Sequence, residues 1–493
     1  MTTIHIIGIL LTVGVLVAVS VLSGRKVKDA ASFTTGGKSG SWMVCGAILG
    51  TLVGGQSTIG TAQLAFSYGL SAWWFTIGAA LGALVLGLIY AGPLRRSGCS
   101  TLMEVVRQQY GRRAETVGSI LFLIGIFISI TSQLLSSSAM ITSLFRTPVA
   151  MSLAIGALLI ATLVYVGGIK SAGAGGIVKL VLLYVSSIVA GVVVWKIGGG
   201  LVGINREIEE IYSTPILATM NDIASAEEVH NRYGNIIARG ALKDLGGCLS
   251  LTLGVVCTQT YAQAIWSAAT TRKAQKGALF CAALIPLIGA ACTLVGMYMR
   301  GHYVTASEAG ALEAAGESLP AGIGIIENSL QAFPTFILEH IPAWLGGIIL
   351  GTLLINILGC GSGLVLGAAT ILTRDVYGNL NTLLRRKPRL SQLTQTRLSI
   401  VGLLAIGIVA AHFTQGSFIN DLGFMSLGLR AAALLLPLSF ALWMPGRFKA
   451  RAITISMIVG TATMLAAGML KLPSDPMYYG LAFSAMVILL RSR

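Results

Sequence analysis

Two short polar runs interrupt apolar stretches and could do chemistry at bilayer depth. The first is Leu52-Val53-Gly54-Gly55-Gln56-Ser57-Thr58-Ile59-Gly60-Thr61, with apolar flanks at 42–49 and 62–66. The second is Thr258-Gln259-Thr260, followed by Gln263. Adjacent glycines break a helix, and the backbone groups they free meet no water inside a membrane. Such backbone persists only where it is buried in protein or lines a cavity. Interrupted helices at matching places in two halves of a chain mark the binding centre of a secondary transporter. The competing reading is a helix that uses small residues for close packing.

The chain around these runs has 493 residues, 55% hydrophobic and 11% charged, with a mean hydropathy of +0.82. Soluble domains carry about 25% charged residues, so this is an all-α polytopic membrane protein. The 61 glycines and 15 methionines suit closely packed helices. A barrel would need alternating strands of ~10 residues, and none are visible. The net charge of +16 does not point to nucleic acid, because the basic residues lie in loops between apolar runs. The seven cysteines lie in apolar runs or one basic loop, without CxxC spacing. No disulfide framework, metal site or cofactor is expected. The first run, 4–22, lacks a basic start and a small-residue cleavage site, and reads as a retained span.

Runs long enough to cross a bilayer, about 20 residues each, occur at 4–22, 43–64, 72–92, 117–142, 149–166, 176–197, 242–268, 277–299, 343–371, 397–413, 419–442, 452–470 and 477–490. About 13 transmembrane helices are expected. Most basic residues, among them Arg95, Arg96, Arg112, Arg113, Arg385, Arg386 and Lys387, fall in loops on one side. The positive-inside bias puts the N-terminus outside and the C-terminus in the cytoplasm of a cell membrane. Two long, acidic outer loops, 199–241 and 300–342, read equally as short amphipathic helices capping the outer face or as solvated connectors. Five spans separate the two breaks. A single transporter domain follows, with a 5+5 inverted repeat (40–198 and 240–442), two broken helices, and peripheral spans at 1–30 and 450–493.

Several motifs carry a family resemblance. They are Phe33-x-x-Gly36-Gly37-Lys38, the 54–60 run, Phe66-Ser67-Tyr68-Gly69, Tyr165-Val166-Gly167-Gly168-Ile169-Lys170, residues 259–268, and Thr373-Arg374-Asp375-Val376-Tyr377. In this order and spacing the chain resembles the sodium:solute symporter family. The resemblance implies a leucine-transporter-type fold of ten core helices and alternating access for a small organic solute. Family members carry sugars, amino acids, sialic acid, carboxylates, vitamins, iodide or urea, so the solute stays open. By position, the central cavity is expected to see Gln56, Ser57, Trp74, Thr76, Gln133 and Gln259, with Ser57 and Gln259 approaching each other. Sugar-transporting relatives have an acid where Thr76 stands. Polar, uncharged walls suit a small zwitterion or carboxylate, whose anionic group half-helix N-termini can hold.

The resemblance also implies a sodium site between the first broken helix and the 343–371 span. Its carbonyls fall at Gly50 and Val53, and its paired hydroxyls at Gly359 and Cys360, with Asn356 one turn earlier. Neither Gly359 nor Cys360 carries a hydroxyl, and a hard cation disfavours a thiol. Ser362 comes two residues later. The site is therefore degenerate, and the coupling ion is either sodium or a proton. Lys179 lies inside an apolar helix, where an ionisable group is functional by default. Its ammonium either fills the vacant cation position and exchanges a proton or snorkels to the surface. Arg430 is the other intramembrane cation, read as binding an anionic solute, pairing with Asp421 or capping carbonyls. Lys243 and Asp244 are assigned to the interface.

The expected partners are thus a solute, a coupling cation or proton, and the lipid bilayer. A transporter-like sensor is the rival reading. Only Arg491-Ser492-Arg493 follow the last run, which favours transport. An enzyme is disfavoured because His5, His230, His302, His340 and His412 lie in loops or near span ends, without a nucleophile or metal partner at useful spacing.

Overall fold

The computed structural model describes residues 2–24, 39–167, 174–378 and 391–491. Four of the expectations above fall outside what is described: the motif at 33–38, Gly168 to Lys170, the basic run Arg385 to Lys387, and the side chains of Lys179, Arg374 and Asp375.

Helices occupy each of the apolar runs. Seven of the described helices are long and apolar enough to cross a membrane, or nine if each of two bent pairs counts as one span. The first helix is α1 (Thr3–Gly24). Helix α2 (Ser41–Leu52) stops where Val53 turns extended, at φ −90° and ψ 94°. A π-turn (Gln56–Gly60) and α3 (Thr61–Tyr68) resume the path. Next come α4 (Trp74–Val85), a second π-turn (Leu86–Tyr90) and α5 (Ala91–Arg96). The long α6 (Leu102–Phe145) starts at a Thr101 cap and kinks at Gly111. Helices α7 (Val149–Gly167) and α8 (Ala174–Ile197) close the first half.

The second half repeats the interruption. Helix α12 (Ala241–Val256) ends at Cys257, Thr258 is extended at φ −98° and ψ 122°, and α13 (Gln259–Ser267) departs at 47°. Helices α14 (Thr271–His302), α17 (Ala343–Thr370), α18 (Gln392–Phe413), α19 (Ile419–Trp443), α20 (Ala450–Met469) and α21 (Pro476–Arg491) follow. A third π-turn, Ile371–Tyr377, extends α17.

The two long acidic loops, 199–241 and 300–342, fold as amphipathic caps. They hold α9 (Gly200–Tyr212), α10 (Pro215–Met220) and α11 (Ala226–Tyr233), then α15 (Ala306–Ala314) and α16 (Ala332–His340). In α9, Ile204, Ile208 and Ile211 recur at helical spacing and are buried, which is the stripe that seats a cap. A short parallel pair, β1 (Tyr303–Thr305) and β2 (Gly324–Ile326), flanks α15.

The caps satisfy a half-helix. The last carbonyls of α3 have no partner within their own helix. The Tyr233 hydroxyl donates to Phe66 O at 3.3 Å, and Arg232 Nε donates to Ser67 O at 3.1 Å. Gly69 then turns the chain at φ 53°, against the carbonyl of Tyr233.

A buried ion pair locks the other cap. Arg300 Nη1 donates to Glu308 Oε2 at 2.9 Å, and Glu308 also closes the capping box of α15. Burial alone would raise the Glu308 pKa. The Arg300 guanidinium, helped by hydrogen bonds from Thr305 and Asn221, outweighs it and holds the carboxyl below its ordinary value. The stabilisation is thus present above the unfolded-state value and is lost as pH falls through the lowered folded one. Glu308→Gln should lower stability near pH 7 by about 3 kcal/mol. The gap between variant and wild-type melting points should close at pH values below the ordinary carboxylate range. A pH-independent gap would assign the loss to packing.

Candidate functional site

The first break is three residues long, and side chains from two other helices take its backbone groups. From α17, Asn356 Nδ2 donates to Val53 O at 2.7 Å, and Cys360 Sγ donates to Thr51 O at 3.1 Å. From α6, Gln133 Oε1 accepts from Gly55 N at 3.0 Å. The approach is close enough to require both glycines. A Cβ on Gly55 would lie 2.2 Å from Ser136 Oγ, and one on Gly54 would lie 2.9 Å from both Cys360 Sγ and Gln133 Nε2. Below the break, Ser57 Oγ and Thr58 Oγ1 donate to Leu52 O and Gly54 O at 3.2 and 3.1 Å. Gln56 Nε2 donates to Ser132 Oγ at 2.5 Å. Gln56, Ser57 and Gln133 are all buried. They converge where helices α2, α3, α6 and α17 meet.

The other expected site residues lie elsewhere. Gln259 opens α13 and is spent on the corner before α6, where its Oε1 accepts from Leu102 N at 2.8 Å and its Nε2 donates to Ser100 O at 3.3 Å. It does not join Ser57, whose hydroxyl turns to Leu52 O. Trp74 donates its indole N–H to Ile236 O at 2.6 Å, under the outer cap. Thr76 bonds back to Trp73 O and fills the space over Gly289 of α14, so it packs two helices together. The carbonyl facing Cys360 is that of Thr51, not Gly50. A Cβ on Gly50 would meet no atom within 4 Å. Ser362 turns its hydroxyl to Gly359 O of its own helix at 2.9 Å and leaves the break unapproached.

The charged residues also need correction. Asp244 is fully buried rather than interfacial. It binds Arg239 Nε at 2.8 Å and accepts from Ser71 Oγ at 2.9 Å. Arg239 reaches on to Asp421 at 2.6 Å, so Asp421 pairs with Arg239 and not with Arg430. Arg430 instead sits at the second break, donating to Thr258 Oγ1, Ser129 Oγ and Ser426 Oγ. Three residues escaped the sequence reading. Arg239 is a cation within an acidic outer loop, and that contrast was the available signal. Gln63 ties α3 to the start of α19 through Ile419 N at 2.9 Å and Ser417 O at 3.3 Å. Ser132 receives Gln56 with no signal beyond a polar run in α6.

At the outer end of α3 lies a cavity of about 240 Å³, lined by Phe66, Ser67, Asn221, Arg300 and Glu308 among others. It is separate from the break.

The described helices thus carry two breaks, each held by side chains of long neighbours. The sodium:solute symporter family profile matches residues 33–460, and the chain belongs to that family. Among curated proteins it is 24% identical over 343 residues to the high-affinity choline transporter 1 of Torpedo marmorata, covering 66% of this chain and 52% of that protein. It is 26% identical over 265 residues to the corresponding Homo sapiens transporter, covering 51% and 41%. The chain thus spans about half the length of the curated relatives it matches. Among solved structures it superposes on a substrate-bound, outward-open Na+-coupled sialic acid symporter with a TM-score of 0.70 at 15% identity, over 100% of this chain and 97% of that one. A manganese transporter of Eremococcus coleocola aligns with a TM-score of 0.50 at 15% identity over 94% of each chain. These structural likenesses concern the fold.

Proposed function

We propose that the chain is a secondary active transporter of a small polar organic solute, of amino acid or carboxylate type, working by alternating access. We further propose that sodium does not drive it through the position between the first break and α17. The Asn356 Nδ2 bond to Val53 O carries this reading. A sodium ion wants oxygen lone pairs, and here an amide N–H and a thiol point at the carbonyls of Val53 and Thr51. The residues present do not fit the ion. Choline, named for the curated relatives, is not carried over. Arg430, buried among Thr258, Ser129 and Ser426, disfavours a quaternary ammonium nearby.

The test has two stages. A solute that binds only the folded protein raises its unfolding temperature, so candidate solutes are screened with sodium and pH varied. Hits are then followed by counterflow of labelled solute in liposomes. Exchange across the bilayer supports transport. Binding without exchange would make the protein a sensor and overturn the reading.

The proposed topology has thirteen spans with the N-terminus outside. A C-terminal tag in intact cells should be unreachable by antibody until the membrane is permeabilised. An external C-terminal tag would refute the count or the orientation.

A further inference from the structure

The middle of α19 carries a guanidinium with no counter-charge among the described residues. Arg430 is 2% exposed. Its Nη1 donates to Thr258 Oγ1 at 3.2 Å, and its Nη2 donates to Ser129 Oγ at 2.8 Å and Ser426 Oγ at 2.9 Å. Its Nε has no hydrogen-bond partner. The Phe122 ring lies 5.7 Å from the guanidinium carbon. Among the described residues Arg430 makes no ion pair, and the acid on its own helix, Asp421, is taken by Arg239. Three neutral hydroxyls satisfy hydrogen bonds but leave a full positive charge in a low-dielectric interior, where an unpaired ion is costly.

A second positive end converges on the same place. Thr258, which accepts from Arg430, is the cap residue before α13, a nine-residue helix that begins at the next position. The N-terminus of a helix carries about half a unit of positive charge. The hydroxyl protons are spent, that of Thr258 on Gly254 O at 2.7 Å and that of Ser426 on Gly125 O at 2.5 Å, so guanidinium and helix end form the anion cradle. Both N–H bonds of Nη2 go to Ser129 and Ser426, so Nε is the part of the guanidinium left to hold an anion, through a single charge-assisted bond.

We propose that Arg430, held by Thr258, Ser129 and Ser426 beside the start of α13, binds an anionic group, the carboxylate of the transported solute or a free halide. The carboxylate alternative rests on the transport reading above and narrows the solute to an organic acid or zwitterion.

The full-length protein in detergent is heated in sodium-free buffer with a panel of monocarboxylates and amino acids, with the methyl ester of each, and with potassium bromide. At least one acid should raise the unfolding midpoint while its ester does not. R430Q should weaken its apparent affinity about 10- to 100-fold, the loss of a charged hydrogen-bond partner, with R430K losing less. A shift with bromide alone, lost in R430Q, assigns the cradle to a free halide. If R430Q fails to fold, the acid-against-ester comparison on the wild type and the affinity of R430K decide. The proposal is overturned if neither acids nor bromide shift the midpoint, if acid and ester act equally, or if R430Q keeps full affinity. Liposome exchange separates the two readings. A solute exchanged equally as acid and ester sinks the anion site and leaves transport standing. An acid held through Arg430 but never exchanged does the reverse.

Discussion

Solute uptake into liposomes should be the same whether the outer salt is sodium or potassium, and Asn356→Ala should cut uptake about tenfold in both. The bond from Asn356 Nδ2 to Val53 O is buried and 2.7 Å long. Deleting the amide leaves a carbonyl at the break without that donor, which costs about 1–3 kcal/mol. That penalty falls on the conformation in which α17 holds the break, so the cycle slows even where the protein still folds. Flux measured with equal pH on both sides isolates the sodium term. A several-fold rise in wild-type uptake with sodium would show that an oxygen cage exists after all, and Ser362 and Asn356 would be the first residues to examine.

The second large effect concerns stability. Gly69→Ala should lower folding stability by about 3 kcal/mol, combining backbone strain with steric overlap. Gly69 has φ 53° and ψ −131°, a region that side chains rarely enter, and an added Cβ would lie 2.2 Å from Tyr233 O. Gly40→Ala is the matched control, since an added Cβ there meets no atom of the described residues within 4 Å. Thermal unfolding in detergent reads both. Equal melting points for the two variants would mean that the outer cap yields freely, contrary to the contacts of Tyr233 and Arg232.

Parts of this centre were legible in the sequence for simple reasons. The Gly54-Gly55 pair marked the first break, because adjacent glycines free backbone groups that no water meets at bilayer depth. Gln133 and Gln56 were legible as amides with no lipid partner, and both find polar partners. The partner of Cys360 was not, because its thiol reaches the carbonyl of Thr51, a backbone contact that no residue type marks. Gln259 was misplaced for a different reason. The second break falls at Cys257 and Thr258, so Gln259 already belongs to the helix beyond it and points toward the corner before Leu102. The unpaired state of Arg430 could not be read at all, because it depends on Arg239 claiming Asp421 from a distant loop.

Helix α3 is tied twice, at its last turn to α11 through Arg232 and Tyr233 and in its first turn to the start of α19 through Gln63. A half-helix held in this way cannot swing alone. Any outward opening must carry the α11 cap along or break the Arg232 and Tyr233 bonds first. On the proposed transport cycle the α11 cap is a latch for the interior, and an antibody fragment that clamps α11 in its present position should arrest solute exchange without ever touching the solute.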